Sequence, residues 1–328
     1  MDSRRTLLVD AFTDEPLAGN AAGGVPDAEG LTADQMQRVA RELNASETAF
    51  LTDSEEADRQ VRYFTPSTEV DLCGHATVAC HAHLFEDGVI DAGSHTLATN
   101  VGVLDIDVDD DGTVWMTQAP PELHEVEVSH EDVAAAVGVD LDALTDVADD
   151  LPLAWSSTGL AFLVVPVARL DDLGNATPDM AAVESLCETV DATGVYAFTF
   201  ETLDPGATLH GRMFAPLAGV PEDPVTGTAS GAVGAYLRAY DAFEGAMGAG
   251  DDGEGGEGGD APPADEAGTR VAEGLPEEMV FEQGHFVDRP GRALVRARGE
   301  VRVGGRALTA LDGSLAVPDA EDDDVIEA

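Results

Sequence analysis

A short motif occurs twice in this sequence, and the two copies start 150 residues apart. Residues Arg62–Pro66 (RYFTP) match Arg212–Pro216 (RMFAP), and each copy ends a segment that favours a β-strand. A glycine follows each copy, Gly74 in the first and Gly227 in the second, and opens a stretch of small residues typical of a packed helix. The repeated order of strand, loop, glycine and helix indicates a duplicated α+β unit.

The two glycines stand where helices are predicted to begin. The first N–H groups of a helix have no partner within the helix, and the helix dipole is positive at this end, so helix starts bind carboxylates well. We therefore expect Gly74, Gly227 and the hydroxyl of Thr228 to bind the carboxylate of a small substrate.

The hydrophobic pattern predicts strands and helices on both sides of the repeat. A strand is predicted over residues 6–12, and a helix is predicted to follow Thr32 as its N-cap. An alanine-rich helix is predicted from Gly74 to about Glu86. We predict a first domain at 1–121 and a second at 122–292. The second contains an acidic, glycine-rich insertion at 245–268 that is predicted to be disordered. Closing strands at 293–318, which could return to the first domain, and an acidic tail at 319–328 follow.

The charge balance argues against several kinds of partner. The 328 residues include 65 acids and 16 bases, and every base is an arginine, so the formal net charge is −49. A surface this acidic repels phosphate backbones and anionic lipids, so neither nucleic acid nor a membrane is an expected partner. Such self-repulsion opposes compact structure unless concentrated salt screens it, and we expect a halophilic protein in a salt-rich cytoplasm.

No targeting or membrane-spanning segment is expected, because no apolar run approaches the roughly 18 residues that a span requires. The three cysteines, Cys73, Cys80 and Cys187, are too few and too scattered for a disulfide framework or a zinc site. These features predict a cytoplasmic protein without a bound metal.

Six motifs stand in order along the chain. They are VDAFT (9–13) with Gly19-Asn20, NASETAF (44–50), RYFTP (62–66), CGHAT (73–77), EDPVTGTA (222–229), and Gln283-Gly284 followed by Arg289-Pro290. Together they resemble the PhzF-like family, over residues 6 to about 317. The family is named for the isomerase of phenazine biosynthesis, which acts on trans-2,3-dihydro-3-hydroxyanthranilate.

The resemblance implies a diaminopimelate-epimerase-like α+β fold, in which two pseudo-symmetric domains each curl a mixed β-sheet around a central helix. It also implies an isomerase that needs no cofactor and moves a proton within a small carboxylate, in a chain that can form homodimers. Four departures from the family pattern leave the substrate open: Ala21, Gly23-Gly24, Thr228 and Gly291.

The resemblance assigns catalytic roles to Glu47, His75 and Asp223. Glu47 matches the family's general acid/base. Without the resemblance it is a glutamate between two hydroxyl residues just before an apolar segment, where a proton shuttle and an ordinary surface acid are both reasonable roles. His75 is expected to contact the substrate or relay a proton, and Asp223, preferred over its neighbour Glu222, to orient Glu47 or the substrate. Asn20 is expected to add an amide contact.

Two alternative functions stay open. An epimerase or racemase of an amino or hydroxy acid would use Glu47 with Cys73 or His75 as opposed acid and base. In related epimerases and proline racemases two thiols flank the substrate carbon, but here Thr226 occupies the position that matches Cys73 in the second copy. A second alternative is a protein that binds the small molecule without turning it over.

Overall fold

A computed structural model describes residues 2–147, 151–243 and 274–319. The predicted insertion at 245–268 and residues 320–328 of the predicted tail lie outside the described residues. Contacts between Cα atoms define two compact units, one running to Met116 and resuming at Gly304, the other comprising Thr117–Val303. None of the helices in the described ranges is long and apolar enough to cross a lipid bilayer.

The first unit is a mixed β-sheet with two helices. Its elements are β1 (Asp2–Ala11), β2 (Asn20–Val25), α1 (Ala33–Leu43), β3 (Thr48–Thr52), β4 (Arg59–Phe64), β5 (Glu69–Val70), α2 (Gly74–Glu86), β6 (Gly93–Thr99), β7 (Gly102–Val108), β8 (Val114–Thr117) and β18 (Ala307–Val317). Strand β1 pairs antiparallel with β2 and β18, and β2 pairs parallel with β3. Strand β4 is antiparallel to β3 and β5 and parallel to β6, which is antiparallel to β7.

Helix α2 is the central helix of this unit. Its residues from Ala76 to Leu84 are all buried, and the helix contacts β1, β2, β3 and β18. A helix enclosed on every side must carry side chains that are apolar or small all the way round, which its sequence GHATVACHAHLFE largely provides. The alanine-rich segment thus forms the helix predicted from Gly74 to Glu86.

The second unit contains the remaining elements, and its boundaries with the first unit fall within β8 and β17. They are β9 (Glu122–Glu125), α3 (His130–Val137), α4 (Asp142–Thr145), β10 (Ala154–Ser157), β11 (Ala161–Pro166), α5 (Leu170–Asn175), α6 (Met180–Val190), β12 (Gly194–Thr199), β13 (Leu209–Ala215), β14 (Val220–Asp223), α7 (Gly227–Ala239), β15 (Met279–Gln283), β16 (Gly291–Arg296) and β17 (Arg302–Gly305).

The pairing of β10 to β16 repeats the pairing of β1 to β7, strand for strand. Strand β10 is antiparallel to β11, β11 is parallel to β12, and β12 is antiparallel to β13. Strand β13 is antiparallel to β14 and parallel to β15, which is antiparallel to β16. Helix α7 takes the place of α2 and is likewise buried over most of its length. The predicted duplication of an α+β unit is therefore confirmed.

The repeated motif makes equivalent contacts in both units. Arg62 forms two hydrogen bonds of 2.7 Å to the carboxylate of Glu69, and Arg212 forms bonds of 2.9 and 2.7 Å to that of Glu222. Each guanidinium also lies over the ring of the phenylalanine two residues later, at 5.2 and 5.1 Å from the ring centroid. The arginine thus joins two neighbouring strands ahead of each central helix.

Candidate active site

The backbone on both sides of Glu47 is fixed by its neighbours. Helix α1 begins with a capping box between Thr32 and Gln35, as the predicted N-cap requires, and it ends at Asn44 in the left-handed conformation (φ 52°). Glu47 follows in the short loop before β3, and its carbonyl oxygen accepts a 2.8 Å hydrogen bond from the N–H of Gly23 in β2. The catalytic candidate therefore lies at the entry to a buried strand.

The approach of β2 to this loop depends on a glycine. A Cβ atom at Gly23 would come within 2.4 Å of the Thr48 hydroxyl and 3.0 Å of a methyl group of Leu43. Gly23, the first residue of the Gly23-Gly24 pair noted above as a departure from the family pattern, thus allows β2 to pack closely beside Glu47.

The structure brings Glu47 and His75 together. The Nε2 atom of His75 lies 3.4 Å from Oε2 of Glu47, and their side chains are 11% and 22% exposed. The same Nε2 lies 3.2 Å from Oγ of Ser46, and the other ring nitrogen, Nδ1, lies 3.4 Å from Sγ of Cys73. These contacts hold the imidazole in place, and the carboxylate of Glu47 stays partly open to solvent, as a group that must reach a substrate requires.

Neither central helix has a side-chain cap at its N-terminus. Cys73 and Thr226 are the N-caps of α2 and α7, neither makes a side-chain capping bond, and neither helix has an acid in its first turn. Every other α-helix of the described residues has a side-chain cap or a first-turn acid. The starts of α2 and α7, with Gly74, Gly227 and Thr228, can therefore accept an anionic ligand.

Asn20 lies at the first position of β2 and is 3% exposed. Strand β2 runs parallel to β3, and β3 begins directly after Glu47. Asn20 thus belongs to the strand that also holds the Glu47 loop.

In the second unit, Asp223 is held beside the start of α7. Its Oδ2 accepts a 2.5 Å hydrogen bond from the hydroxyl of Thr226. Its carbonyl oxygen accepts a 2.8 Å bond from Nε2 of Gln283, and Oε1 of Gln283 accepts from the N–H of Thr226 at 3.3 Å. Buried Gln283 thus orients the loop that carries Asp223, a role that the sequence analysis did not assign although it singled out the Gln283-Gly284 pair.

Glu222 is engaged elsewhere. Its carboxylate accepts both bonds from Arg212, whose guanidinium also donates to the carbonyl oxygens of Leu173 and Ala176. A carboxylate held in this way supports the sheet, so Glu222 is the acid of this pair that is committed to an ion pair.

A model of the PhzC-PhzF family, described as phenazine biosynthesis-like protein, matches residues 9–254. The chain belongs to this family. Two relatives in it are named uncharacterized isomerases: YfhB of Bacillus subtilis is 38% identical over 245 residues (73% of this chain, 83% of the relative), and a protein of Deinococcus radiodurans is 40% identical over 239 residues (71% and 76%). These relatives confirm the expected class of enzyme, an isomerase of this family.

Solved structures agree with the PhzC-PhzF assignment. A PhzF-family phenazine biosynthesis protein of Bacillus anthracis is 32% identical, covers 97% of this chain and 100% of its own, and superposes with a TM-score of 0.79. A hydroxyproline epimerase of Agrobacterium vitis shares the fold, with 14% identity, coverage of 95% and 92%, and a TM-score of 0.52. The predicted epimerase-like α+β fold is confirmed.

The thiols of this PhzC-PhzF chain differ in their surroundings. Burial raises the pKa of Cys80, in the middle of α2, to about 12, and that of Cys187, on α6, to about 11. Both thiols therefore stay protonated and unreactive at neutral pH. Cys73 lies instead against the imidazole of His75, at the open start of α2.

Proposed function

We propose that this protein is a cofactor-independent isomerase in which Glu47 moves a proton within a small carboxylate substrate. The observation that supports it most directly is the contact of Glu47 with His75 at the uncapped start of α2. A proton acceptor and a binding position for an anion thereby lie side by side in one unit.

The chemical step needs only one mobile acid. The Glu47 carboxylate removes a proton from an activated carbon, and the electron pair of the broken C–H bond moves into the adjoining unsaturated system. The Glu47 carboxylic acid then returns the proton to another carbon of that system, so atoms and electrons balance within the substrate. The N–H groups at the start of α2 bind the substrate carboxylate and stabilise the negative charge that develops.

His75 and Ser46 position the acid. Because Nε2 of His75 lies within reach of both Glu47 and Ser46, the imidazole can exchange a hydrogen bond with the carboxylate in either of its protonation states. Asp223, Gly227 and Thr228 are assigned to the same reaction by the sequence resemblance, and this assignment stays a prediction that their variants test.

The proposed setting is a salt-rich cytoplasm, because a net charge of −49 requires strong screening for a compact fold. A homodimer follows from the sequence resemblance and is testable by sedimentation in multimolar KCl.

The test is proton–deuterium exchange followed by NMR in multimolar KCl made up in D2O. Trans-2,3-dihydro-3-hydroxyanthranilate and a panel of small amino and hydroxy carboxylates are offered to the wild type, to Glu47→Gln and to the matched control Glu42→Gln. Glu42 is an exposed acid on α1, so its substitution changes the charge equally at a position outside the site. We expect exchange or isomerisation with the wild type and the control, and a loss of at least about a hundredfold in Glu47→Gln.

Exchange that survives in Glu47→Gln would refute the role of Glu47. A product with the same bonds as the substrate and inverted configuration at one carbon would instead indicate an epimerase. The contact of the Cys73 thiol with His75 provides a second acid/base candidate for that alternative, and Cys73→Ala tests it. Ligand-induced stabilisation of the wild type without any exchange would indicate a binding protein.

A further inference from the structure

Three side chains of types that can bind metal ions lie close together in the second unit, away from the residues discussed so far. His210 on β13 is the register partner of Glu282 on the parallel strand β15, and His285 lies in the single 3₁₀ turn that follows β15. Nδ1 of His210 lies 3.4 Å from Oε2 of Glu282, and the two imidazole rings are 4.9 Å apart between centroids. One ligand atom from each residue lies within 4.8 Å of the other two.

Three imidazole nitrogens of this cluster are buried without hydrogen-bond partners. His210 is fully buried, Glu282 is 1% exposed, and neither ring nitrogen of His210 makes a hydrogen bond. Nδ1 of His285 is likewise buried and unpartnered. Buried polar atoms are almost always satisfied in folded proteins, so these three imidazole nitrogens require partners that the side chains around them do not supply.

The carboxylate is oriented by the backbone. Oε1 of Glu282 accepts a 2.8 Å hydrogen bond from the N–H of Asp204, and Oε2 accepts one of 3.3 Å from the N–H of Leu203. Such outer contacts fix a ligating carboxylate. The nearby cations are neutralised by acids, because Arg212 pairs with Glu222 and Arg292 with Asp204.

We propose that His210, Glu282 and His285 bind a divalent transition-metal ion of the zinc class. Two imidazole nitrogens and one carboxylate oxygen are a ligand set that Zn²⁺ accepts. Bonds of about 2.0–2.1 Å in tetrahedral geometry separate neighbouring ligand atoms by about 3.4 Å, which is the spacing of His210 and Glu282. A bound ion would tie β13, β15 and the following turn together, and water would complete the coordination. The ion stabilises this unit and takes no part in proton transfer by Glu47.

The competing explanation is a metal-free hydrogen bond between His210 and Glu282. It accounts for one nitrogen of His210 and leaves Nε2 of that ring and Nδ1 of His285 unsatisfied. The two explanations predict different behaviour towards added metal.

The experiment titrates the full-length chain, stripped with a chelator, with Zn²⁺ and separately with Co²⁺ in multimolar KCl. All variants are made in a Cys73→Ala background, because Glu47, Cys73 and His75 also lie within ligand distance of one another. The test variants are His285→Ala, at a partly exposed position, and Glu282→Gln, which keeps an oxygen acceptor for the backbone N–H groups. His130→Ala, at the partly exposed start of α3, is the matched control.

We expect one tightly bound Zn²⁺ per chain, visible Co²⁺ bands of low-symmetry geometry, and a rise in melting temperature with Zn²⁺ in the background chain and in His130→Ala. Both test variants should bind at least about tenfold more weakly and lose the rise in melting temperature. Equal stoichiometry, affinity and thermal shift in the two test variants and the control would overturn the proposal. Circular dichroism before metal addition shows whether each variant is folded, and Glu282→Gln decides the matter if His285→Ala does not fold.

Discussion

His81 makes the stability of the first unit depend on pH. It lies in the middle of α2 with 3% of its surface exposed, and its Nδ1–H donates a 3.0 Å hydrogen bond to the carbonyl oxygen of Thr77. Burial disfavours the imidazolium form and lowers the pKa of His81 from 6.5 to about 4. The unfolded chain therefore binds a proton more readily than the folded chain does.

The sign and the size of the effect follow from linkage. Between pH 6.5 and pH 4 the unfolded state carries more protons at this position, so the free energy of unfolding falls as the pH falls. If burial of His81 is the only cause, the free energy of unfolding is lower than at pH 8 by about 2 kcal/mol at pH 5 and by about 3 kcal/mol at pH 4. The stabilisation that neutral His81 provides is complete above the pKa that this residue has in the unfolded chain, and it is lost on acidification.

The substitution His81→Gln keeps a donor for the Thr77 carbonyl and removes the titration. We expect urea denaturation at fixed KCl, followed by circular dichroism, to show the wild type losing about 2 kcal/mol more than the variant between pH 8 and pH 5. The gap should persist when KCl is raised further, because its cause is burial and salt screens mainly exposed charges. An equal loss of stability in the wild type and His81→Gln would show that burial of His81 is not the cause. His130→Gln, at a partly exposed position, serves as the control.

The repeated arginine and the surface charge also set the stability of the fold. Arg212→Met should cost about 3–5 kcal/mol because it leaves Glu222 largely buried and unpaired, whereas Arg62→Met should cost about 1 kcal/mol or less because Glu69 is about a third exposed. Equal costs by urea denaturation would contradict this burial argument. Dilution from multimolar KCl to about 0.1 M should unfold the chain, since a net charge of −49 is then poorly screened, and an unchanged circular dichroism spectrum would contradict the halophilic interpretation.

The sequence predicts the elements that carry strong local signals. Thr32 begins α1 because its hydroxyl and the side chain of Gln35 form reciprocal capping bonds, which are encoded within four residues. Helix α2 follows from its run of small residues after Gly74. The duplicated architecture follows from the RxFxP repeat, since it predicts two units with the same order of strands.

Elements without such signals were not predicted. Strand β2 has the sequence NAAGGV, with only one β-branched residue, and its strand conformation depends on pairing with β1 and β3. Helix α6, capped by Asp179, was also missed.

The candidate site also contains residues that have no local sequence signal. The family resemblance assigns Glu47, His75 and Asp223 from local motifs, and the structure brings Glu47 and His75 together. Gln283 acts on Asp223 from 60 residues away in sequence, and only the antiparallel and parallel pairing around β13 brings them together. The His210–Glu282 pair is likewise created by the register of two parallel strands, which no local spacing reveals.

The distribution of acids supports the assignment of the two helix starts. In a chain with 65 acids, first-turn positions are where an acid is most favourable, because it offsets the positive end of the helix dipole. The equivalent helices α2 and α7 are the two α-helices of the described residues that have neither such an acid nor a side-chain cap. An acid there would repel a substrate carboxylate and compete for the same N–H groups. The proposed binding of the substrate carboxylate at the start of α2 explains the omission there, and the equivalent omission at the start of α7 is the reason to test Gly227 and Thr228 by substitution.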